Sequence, residues 1–351
     1  MLALYDKLLS VDPDARNAVL TVVDGADFGD KCLLCAGELA WERDAGGFFA
    51  RHIAAIRAID RGGTREIDGR QVFCELPGRE PSLVICGGGH VSMPLIRISR
   101  MLGWPVTVIE DRPAFADNAR RAGASRVFCE PFAAGLSRVP GDADTFFVIV
   151  TRGHRYDREC LGAISRKKHA YIGMIGSRRR VAMVKQGLID GEGCDPGVIG
   201  GVHAPIGLDI GAETPEEIAV AIMAQIIQVR RASGRTNAWP RALLSAVTDP
   251  ADRQTPGALV TIVARRGSAP RDVGAKMLVR PDGRIAGTVG GGCAESEIIR
   301  RARMLLDDPA QGAQIFDVDM TAEAAEDAGM VCGGTIRVLM EPIAPEIGSA
   351  T

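Results

Sequence analysis

Two cysteines near the C-terminal end are set among glycines, one in Gly290-Gly291-Gly292-Cys293-Ala294-Glu295 and one in Cys332-Gly333-Gly334. Glycine has no Cβ, so backbone beside it can approach a ligand closely, at a cost in chain entropy. A thiol flanked in this way is open on its sides. A structural cysteine instead sits in an apolar run as a small inert hydrophobe. The chemistry open to Cys293 and Cys332 is soft-metal binding, sulfur handling, or contact with a large flat ligand. Cys293 also stands at a helix start, where the dipole lowers a thiol pKa, although Glu295 and Glu297 act against that effect. The bland alternative is sharp turns made by glycine and small gaps filled by cysteine.

A second set of residues suits phosphate. In Leu83-Val84-Ile85-Cys86-Gly87-Gly88-Gly89-His90-Val91-Ser92 a strand runs through a G-x-G-x-x-S loop into a helix. Gly87 permits the tight turn, Gly89 lets backbone meet a phosphate, and the free N–H groups of the helix start favour an anion. The next strand ends in Glu110-Asp111, close to the ~20-residue interval of a ribose-binding acid. His90 is placed to reach a phosphate or substrate, and Ser92, standing for a third glycine, predicts slightly looser helix packing. Gly176-Ser177-Arg178-Arg179-Arg180 follows another apolar strand and offers a helix dipole and guanidinium groups together. Thr151-Arg152-Gly153-His154 ends a third strand, and His203 and Asp209 lie in a Gly/Pro/Asp-rich loop. All these loops belong at the carboxyl edge of a parallel sheet.

These residues need elements to position them, and three blocks supply them. Residues 82–236 alternate short apolar strands, at 83–86, 106–110, 126–129, 145–151 and 170–176, with helices. Such runs fit strands buried on both faces of a doubly wound sheet. Thr214-Pro215-Glu216-Glu217 opens a helix with a capping box, and Ala219, Ile222, Met223, Ile226 and Ile227 should face its core. Residues 1–80 read as a helix, a strand at 18–23, a helix over 48–59 and a strand at 71–76. Residues 237–351 begin with a helix near Trp239–Val247 and then turn β-rich, with a hairpin turn at Arg280–Arg284.

The first and third blocks look like copies. Asp27-Phe28-Gly29-Asp30-Lys31-Cys32-Leu33-Leu34 parallels Asp272-Val273-Gly274-Ala275-Lys276-Met277-Leu278-Val279, and strands ending in Glu75 and Glu341 also correspond. The first copy lacks the glycine–cysteine loops, so a scaffold or dimer-like packing role is expected of it. Cys32 and Cys35 have C-x-x-C spacing but read as a strand, whose positions i and i+3 face opposite sides. Cys86 and Cys129 lie in apolar runs and are expected in the core.

Composition bounds the function. The net charge is −2 and aromatic content 5 %, which argues against nucleic acid and an acidic membrane surface as partners. No apolar run is long enough to span a bilayer, and no signal peptide is read. Nine irregularly spaced cysteines point to a reducing cytoplasm.

The run Gly267-Ser268-Ala269-Pro270-Arg271 to Met277, the Gly-Gly-Cys-Ala-Glu loop, and Cys332-Gly333-Gly334 through Glu341-Pro342 resemble the XdhC/CoxI family, accessory factors of xanthine dehydrogenase and related molybdenum hydroxylases. Tyr171–Arg180 and Pro205–Ala219 resemble that family's Rossmann domain. The resemblance covers roughly residues 82–345. It implies an α/β fold: a central Rossmann-like doubly wound parallel sheet (81–236), flanked by a β-rich α+β XdhC-type domain (237–351) and a degenerate N-terminal copy of it (1–80). The family's usual order has the XdhC domain first; the inverted order here resembles the subgroup assigned to aldehyde oxidoreductase maturation.

The implied function is a chaperone that binds the molybdenum cofactor, as molybdopterin or its dinucleotide, supports its sulfuration and delivers it to an apo molybdenum hydroxylase. A cysteine desulfurase as sulfur source and a homodimer are further expectations. Cys293 and Cys332 are then the sulfur-handling residues. Cofactor contacts are expected at Gly87, Gly89, His90, Ser92, Glu110, Asp111, Gly176, Ser177, Arg178, Gly291, Gly292, Gly333 and Gly334, with no resident metal. The competing classes are an oxidoreductase using NAD(P) or another nucleotide in the central block, and a metal- or redox-sensing module.

Overall fold

The computed structural model describes residues 2–12, 15–77, 81–232, 239–320 and 334–344, with backbone alone at Arg241 and Cys293. The chain forms two compact units, one of residues 79–233 and one in which residues 1–78 and 234–351 fold together.

The N-terminal half of the composite unit contains α1 (Leu2–Ser10), β1 (Ala18–Asp24), β2 (Lys31–Cys35), β3 (Glu38–Glu42), α2 (Phe48–Arg51), α3 (Ile53–Arg57), β4 (Gly63–Ile67) and β5 (Arg70–Glu75). The single helix expected over 48–59 is broken at His52, whose backbone leaves the helical region at φ −110°, ψ 24°. The reason is local: His52 Nδ1 lies 2.7 Å from the Phe48 carbonyl, the acceptor that a continuing helix needs.

The other unit contains β6 (Ser82–Cys86), α4 (Ser92–Met101), β7 (Val106–Ile109), α5 (Pro113–Ala122), β8 (Arg126–Phe128), α6 (Phe132–Ser137), β9 (Thr145–Ile149), α7 (His154–Ile164), β10 (Tyr171–Met174), α8 (Arg178–Glu192), α9 (Pro196–Gly200) and α10 (Pro215–Ala232). Its sheet is parallel throughout, in the order β10-β9-β6-β7-β8. The order reverses direction between β6 and β9, which makes a switch-point crevice at their carboxyl ends. Separate apolar cores cover the two sheet faces, one with α6, α7 and α8, the other with α4, α5 and α10. This is the doubly wound α/β arrangement. The capping box at α10 forms reciprocally: Glu217 Oε2 accepts from the Thr214 amide at 3.0 Å, and Thr214 Oγ1 accepts from the Glu217 amide at 3.2 Å.

Two expectations of burial fail here. Cys129 is exposed, because β8 is a three-residue edge strand that ends before it. Ile227 is 36 % exposed, one step off the buried Ala219, Ile222, Met223, Ile226 stripe and seven residues from exposed Val220.

The chain returns to the composite unit with α11 (Arg241–Thr248), β11 (Gly257–Arg266), β12 (Lys276–Val279), β13 (Ile285–Gly287), α12 (Gly292–Asp307), β14 (Gln314–Asp319) and β15 (Thr335–Ile343). The two halves have the same antiparallel topology, β3-β2-β1-β5-β4 and β13-β12-β11-β15-β14. Register agrees as well. Thr21 faces Lys31 as Thr261 faces Lys276, and Val19 faces Glu75 as Leu259 faces Glu341. A bulge interrupts both central strands at matching places, after Val22 and after Ile262.

The copies bury one face against each other. Lys31 Nζ lies 2.5 Å from Glu341, and Lys276 Nζ lies 2.6 Å from Glu75. Each copy's lysine thus meets the other's glutamate, the reciprocal pattern of an isologous interface, here within one chain. Val23, Phe73, Val263 and Leu339 from the two copies form one apolar cluster, and Tyr5 and Leu8 of α1 join Leu243 of α11 and Trp239, just before it, in another. On β2 the thiols of Cys32 and Cys35 belong to different cores, as strand alternation requires.

Candidate functional site

In the Rossmann-type unit, Gly87 has φ +115°, and a Cβ there would lie 2.4 Å from the Val150 carbonyl oxygen. The loop after β6 therefore presses against the loop after β9, and only glycine fits. Nothing within 4 Å would meet a Cβ at Gly89, so the space beside this glycine is open. His90 is exposed beside it.

Glu110 is buried, with Oε2 accepting from the Gly88 amide at 2.7 Å and Oε1 accepting from Arg112 Nε at 2.8 Å. It fixes the glycine loop from beneath. Ser92 is also fully buried, and its hydroxyl donates to the Gly87 carbonyl at 2.7 Å. The looser packing expected from serine at this position is not found, because the hydroxyl staples helix to loop. Asp111 is instead the accessible acid of the pair. Arg152 binds it through two contacts, at 2.5 and 2.8 Å. The Arg152 guanidinium holds the Asp111 carboxyl well below the usual carboxylate range, at about 2.

At the second loop Gly176 has φ +152°, and Ser177 Oγ accepts from the Arg180 amide at 3.4 Å, capping α8. Arg180 pairs with buried Asp157, which also accepts from Thr151 Oγ1 at 2.5 Å. Arg178 is 87 % exposed, and its contact to the equally open Asp209 is 3.9 Å. An anion could therefore take Arg178 at little cost. A cleft of about 530 Å³ between α7 and α8, lined by His154, Arg155, Arg158, Arg180, Met183 and Val184, adjoins these helix starts. His203 is half-buried against Tyr171, ring centroids 4.7 Å apart, and burial lowers its pKa. It is a packing residue of the strand edge.

The cysteine segments lie in the composite unit. Gly290, Gly291 and Gly292 all have positive φ, of 140°, 77° and 71°, and lead into α12 with Cys293 in its first turn. Glu295 Oε2 gathers this loop: it accepts from Thr288 Oγ1 at 2.5 Å and from the Gly291 and Val289 amides at 3.0 and 3.1 Å. Partial burial pushes the Glu295 carboxyl up, and these hydrogen bonds outweigh it, so the group sits below its ordinary value. The nearby Glu297 is held at about 2 by Arg300 and Arg301.

A Cβ at Gly290 would lie 3.0 Å from Pro270, and one at Gly334 would lie 2.3 Å from the Ser268 carbonyl oxygen. The glycine loop before Cys293 and the glycine after Cys332 therefore converge on one loop, Gly267–Arg271. Gly291 keeps open space on its Cβ side. Cys332 and Gly333 lie outside the described residues.

The comparisons with known proteins agree with this division. A profile of the "XdhC Rossmann domain" matches residues 83–226, and a profile of the "XdhC and CoxI family" matches residues 251–318. The chain belongs to the XdhC and CoxI family. Among curated proteins, the uncharacterized protein YqeB of Escherichia coli is 30 % identical over 59 % of this chain and 36 % of its own length. A Bacillus subtilis protein described as a probable xanthine dehydrogenase subunit is 30 % identical over 43 % of this chain and 44 % of its own. The molybdenum cofactor insertion chaperone PaoD of E. coli is 58 % identical over 38 residues, 11 % of this chain and 12 % of that protein. The chain thus spans less than half the length of these curated relatives. A crystal structure described as a xanthine dehydrogenase from Bacillus halodurans superposes with a TM-score of 0.51 at 24 % identity, covering 66 % of each chain, and shows the shared fold. No described helix of this family member is long and apolar enough to cross a membrane.

Several roles were not readable from residue type. Nothing in the XdhC motifs marks Glu110 and Glu295 as clamps of glycine loops, and Asp157 carries no motif at all. The two lysines and two glutamates were visible as repeated letters, but their crossed pairing was not.

Proposed function

We propose that this protein is a maturation factor for a xanthine dehydrogenase- or aldehyde oxidoreductase-type molybdenum hydroxylase. It binds the molybdenum cofactor as cargo, supports its sulfuration and hands it to the apo-enzyme. The observation that carries this reading is the convergence of both glycine segments on the Gly267–Arg271 loop. It supports a role for Cys293 and Cys332 in handling one ligand. Open space above Gly291 fits a flat pterin better than it fits an internal contact, and thiolate is a soft donor suited to molybdenum or to a persulfide. Family membership and the short match to a cofactor insertion chaperone support the same class of function.

The dehydrogenase alternative receives less support. Glu110, the residue expected to hold a ribose, is buried and already accepts from Gly88 and Arg112.

The test is to express the chain together with cofactor biosynthesis and analyse what co-purifies. A pterin-derived fluorophore released on denaturation is the expected result; its absence, with NAD(P)H turnover in its place, would end the chaperone reading. Cys293→Ala and Cys332→Ala should leave the protein folded and lower activation of a partner hydroxylase. Full activation by the double variant would remove the cysteines from the mechanism.

A further inference from the structure

A second feature adjoins the cysteine segments. A pocket of about 260 Å³ opens at the ends of β11, β14 and β15, lined by Ala264, Arg265, Arg266, Asp317, Thr335 and Arg337. Two of its arginines are matched: Arg265 to Asp272 at 3.2 Å, and Arg337 to both oxygens of Asp317 at 2.9 and 3.0 Å. Arg266 makes no ion pair among the described residues and is exposed. Its charge acts with Arg337 to lower the Asp317 carboxyl. The pocket lies against the candidate site, because a Cβ at Gly334 would stand 2.6 Å from the Arg266 carbonyl oxygen.

The N-terminal copy serves as an internal control. Matching registers place Asp24 where Ala264 stands and Gln71 where Arg337 stands, and β1 ends before the positions of Arg265 and Arg266. Glu66 occupies the position of Asp317. The N-terminal frame thus has no arginine at the positions of Arg266 and Arg337; its arginine at this end, Arg70, stands where Ile336 does and is paired with Asp27 at 3.1 Å. A folding requirement of the frame would act on both copies. Arg266 and Arg337 are particular to the copy that carries the cysteines, which points to a ligand there.

We propose that this pocket holds the phosphate end of the ligand whose flat end reaches the glycine–cysteine segments. Guanidinium groups present paired donors to phosphate oxygens, and among the described residues Arg266 is the lining arginine that no carboxylate pairs with. The ligand class is an organic phosphate, either a monoester or a pyrophosphate-linked dinucleotide. The inference rests on the cofactor-binding reading above.

The full-length chain is titrated with inorganic phosphate and with inorganic pyrophosphate by calorimetry. Binding is expected, with preference for pyrophosphate pointing to a dinucleotide and preference for phosphate to a monoester. Arg266→Gln should weaken it about 10- to 100-fold, the loss of a charge-assisted hydrogen-bond pair. Arg266→Lys should recover part of it, and thermal melts should show all variants folded. No binding by the wild type, or wild-type affinity in Arg266→Gln, would overturn the pocket. So would an Arg266→Gln chain that co-purifies with as much pterin as the wild type, and that result would leave the chaperone reading standing. Absence of pterin from the wild type would defeat that reading instead, with the titration still deciding whether the pocket binds phosphate.

Discussion

At the scale of single residues, two glutamates do similar work in two unrelated loops. Glu110 accepts from the Gly88 amide beneath the β6 loop, and Glu295 accepts from the Val289 and Gly291 amides of the loop before α12. Glycine-rich backbone has many conformations to lose, and a carboxylate that binds its amides selects one of them. Glu295 titrates below its ordinary value, so its contribution is complete above about pH 4.3, the unfolded value, and declines as pH falls through the lowered folded value. Amide protection factors of Val289 and Gly291 should therefore hold near neutrality and drop in acid. In Glu295→Gln they should be lower throughout that range; unchanged protection would show that the clamp is not what orders the loop. Gly87→Ala combines φ +115° with a Cβ 2.4 Å from a carbonyl oxygen. A stability loss of at least ~2 kcal/mol in denaturant titration is expected.

At the scale of elements, the difference between the two copies lies in their connections. In the N-terminal copy β4 and β5 are joined through Asp68 and Gly69, with φ of 46° and 72°, the left-handed pair of a tight hairpin. In the C-terminal copy residues 320–334 stand in the same place between β14 and β15, and they carry Cys332. A hydrogen bond of 2.8 Å from the Met320 amide to the Gly334 carbonyl closes the base of that connection. The sheet frame is thereby kept while one connection is longer, a change that a fold tolerates. Elements with local signatures were legible in the sequence. Threonine, proline and glutamate announced α10, and both capping hydrogen bonds form. Thr214→Ala should cost about 1 kcal/mol, read from the denaturant midpoint. The break at His52 was not legible, because it depends on where one ring nitrogen points.

At the scale of the whole chain, the composite unit is a two-copy assembly on one polypeptide. The face that a single-copy domain would offer to a twin is occupied by the other half, through crossed lysine–glutamate pairs and the apolar residues around them. Burial lowers the Lys276 pKa and raises that of Glu75, and each partner's charge counteracts the shift. Such a pair is weak evidence of net stability but costly to break. Glu75→Ala should destabilise by about 3–5 kcal/mol, because it strands a buried ammonium. Replacing both partners, Glu75→Leu with Lys276→Met, should recover most of the loss. Equal destabilisation by the single and double changes would mean that packing, not charge, is at stake. The expectation of a homodimer then concerns some other surface than this one.

The sequence by itself determined what depends on near neighbours along the chain. Strand–helix alternation announced the doubly wound sheet, repeated letters announced the second copy, and glycine spacing announced the turns after β6 and β10 and before α12. Tertiary structure alone decided which charges meet. Lys31 and Glu341 are 310 positions apart, Lys276 and Glu75 are 201 apart, and no local pattern encodes such a pairing. It also decided that Glu110 is committed inside the protein, that the Gly290 and Gly334 segments touch one loop, and that Arg266 faces a pocket. Periodicity fixes which face a side chain takes. The partner it meets there is fixed only when the sheets close, and the chemistry of this site depends on those partners.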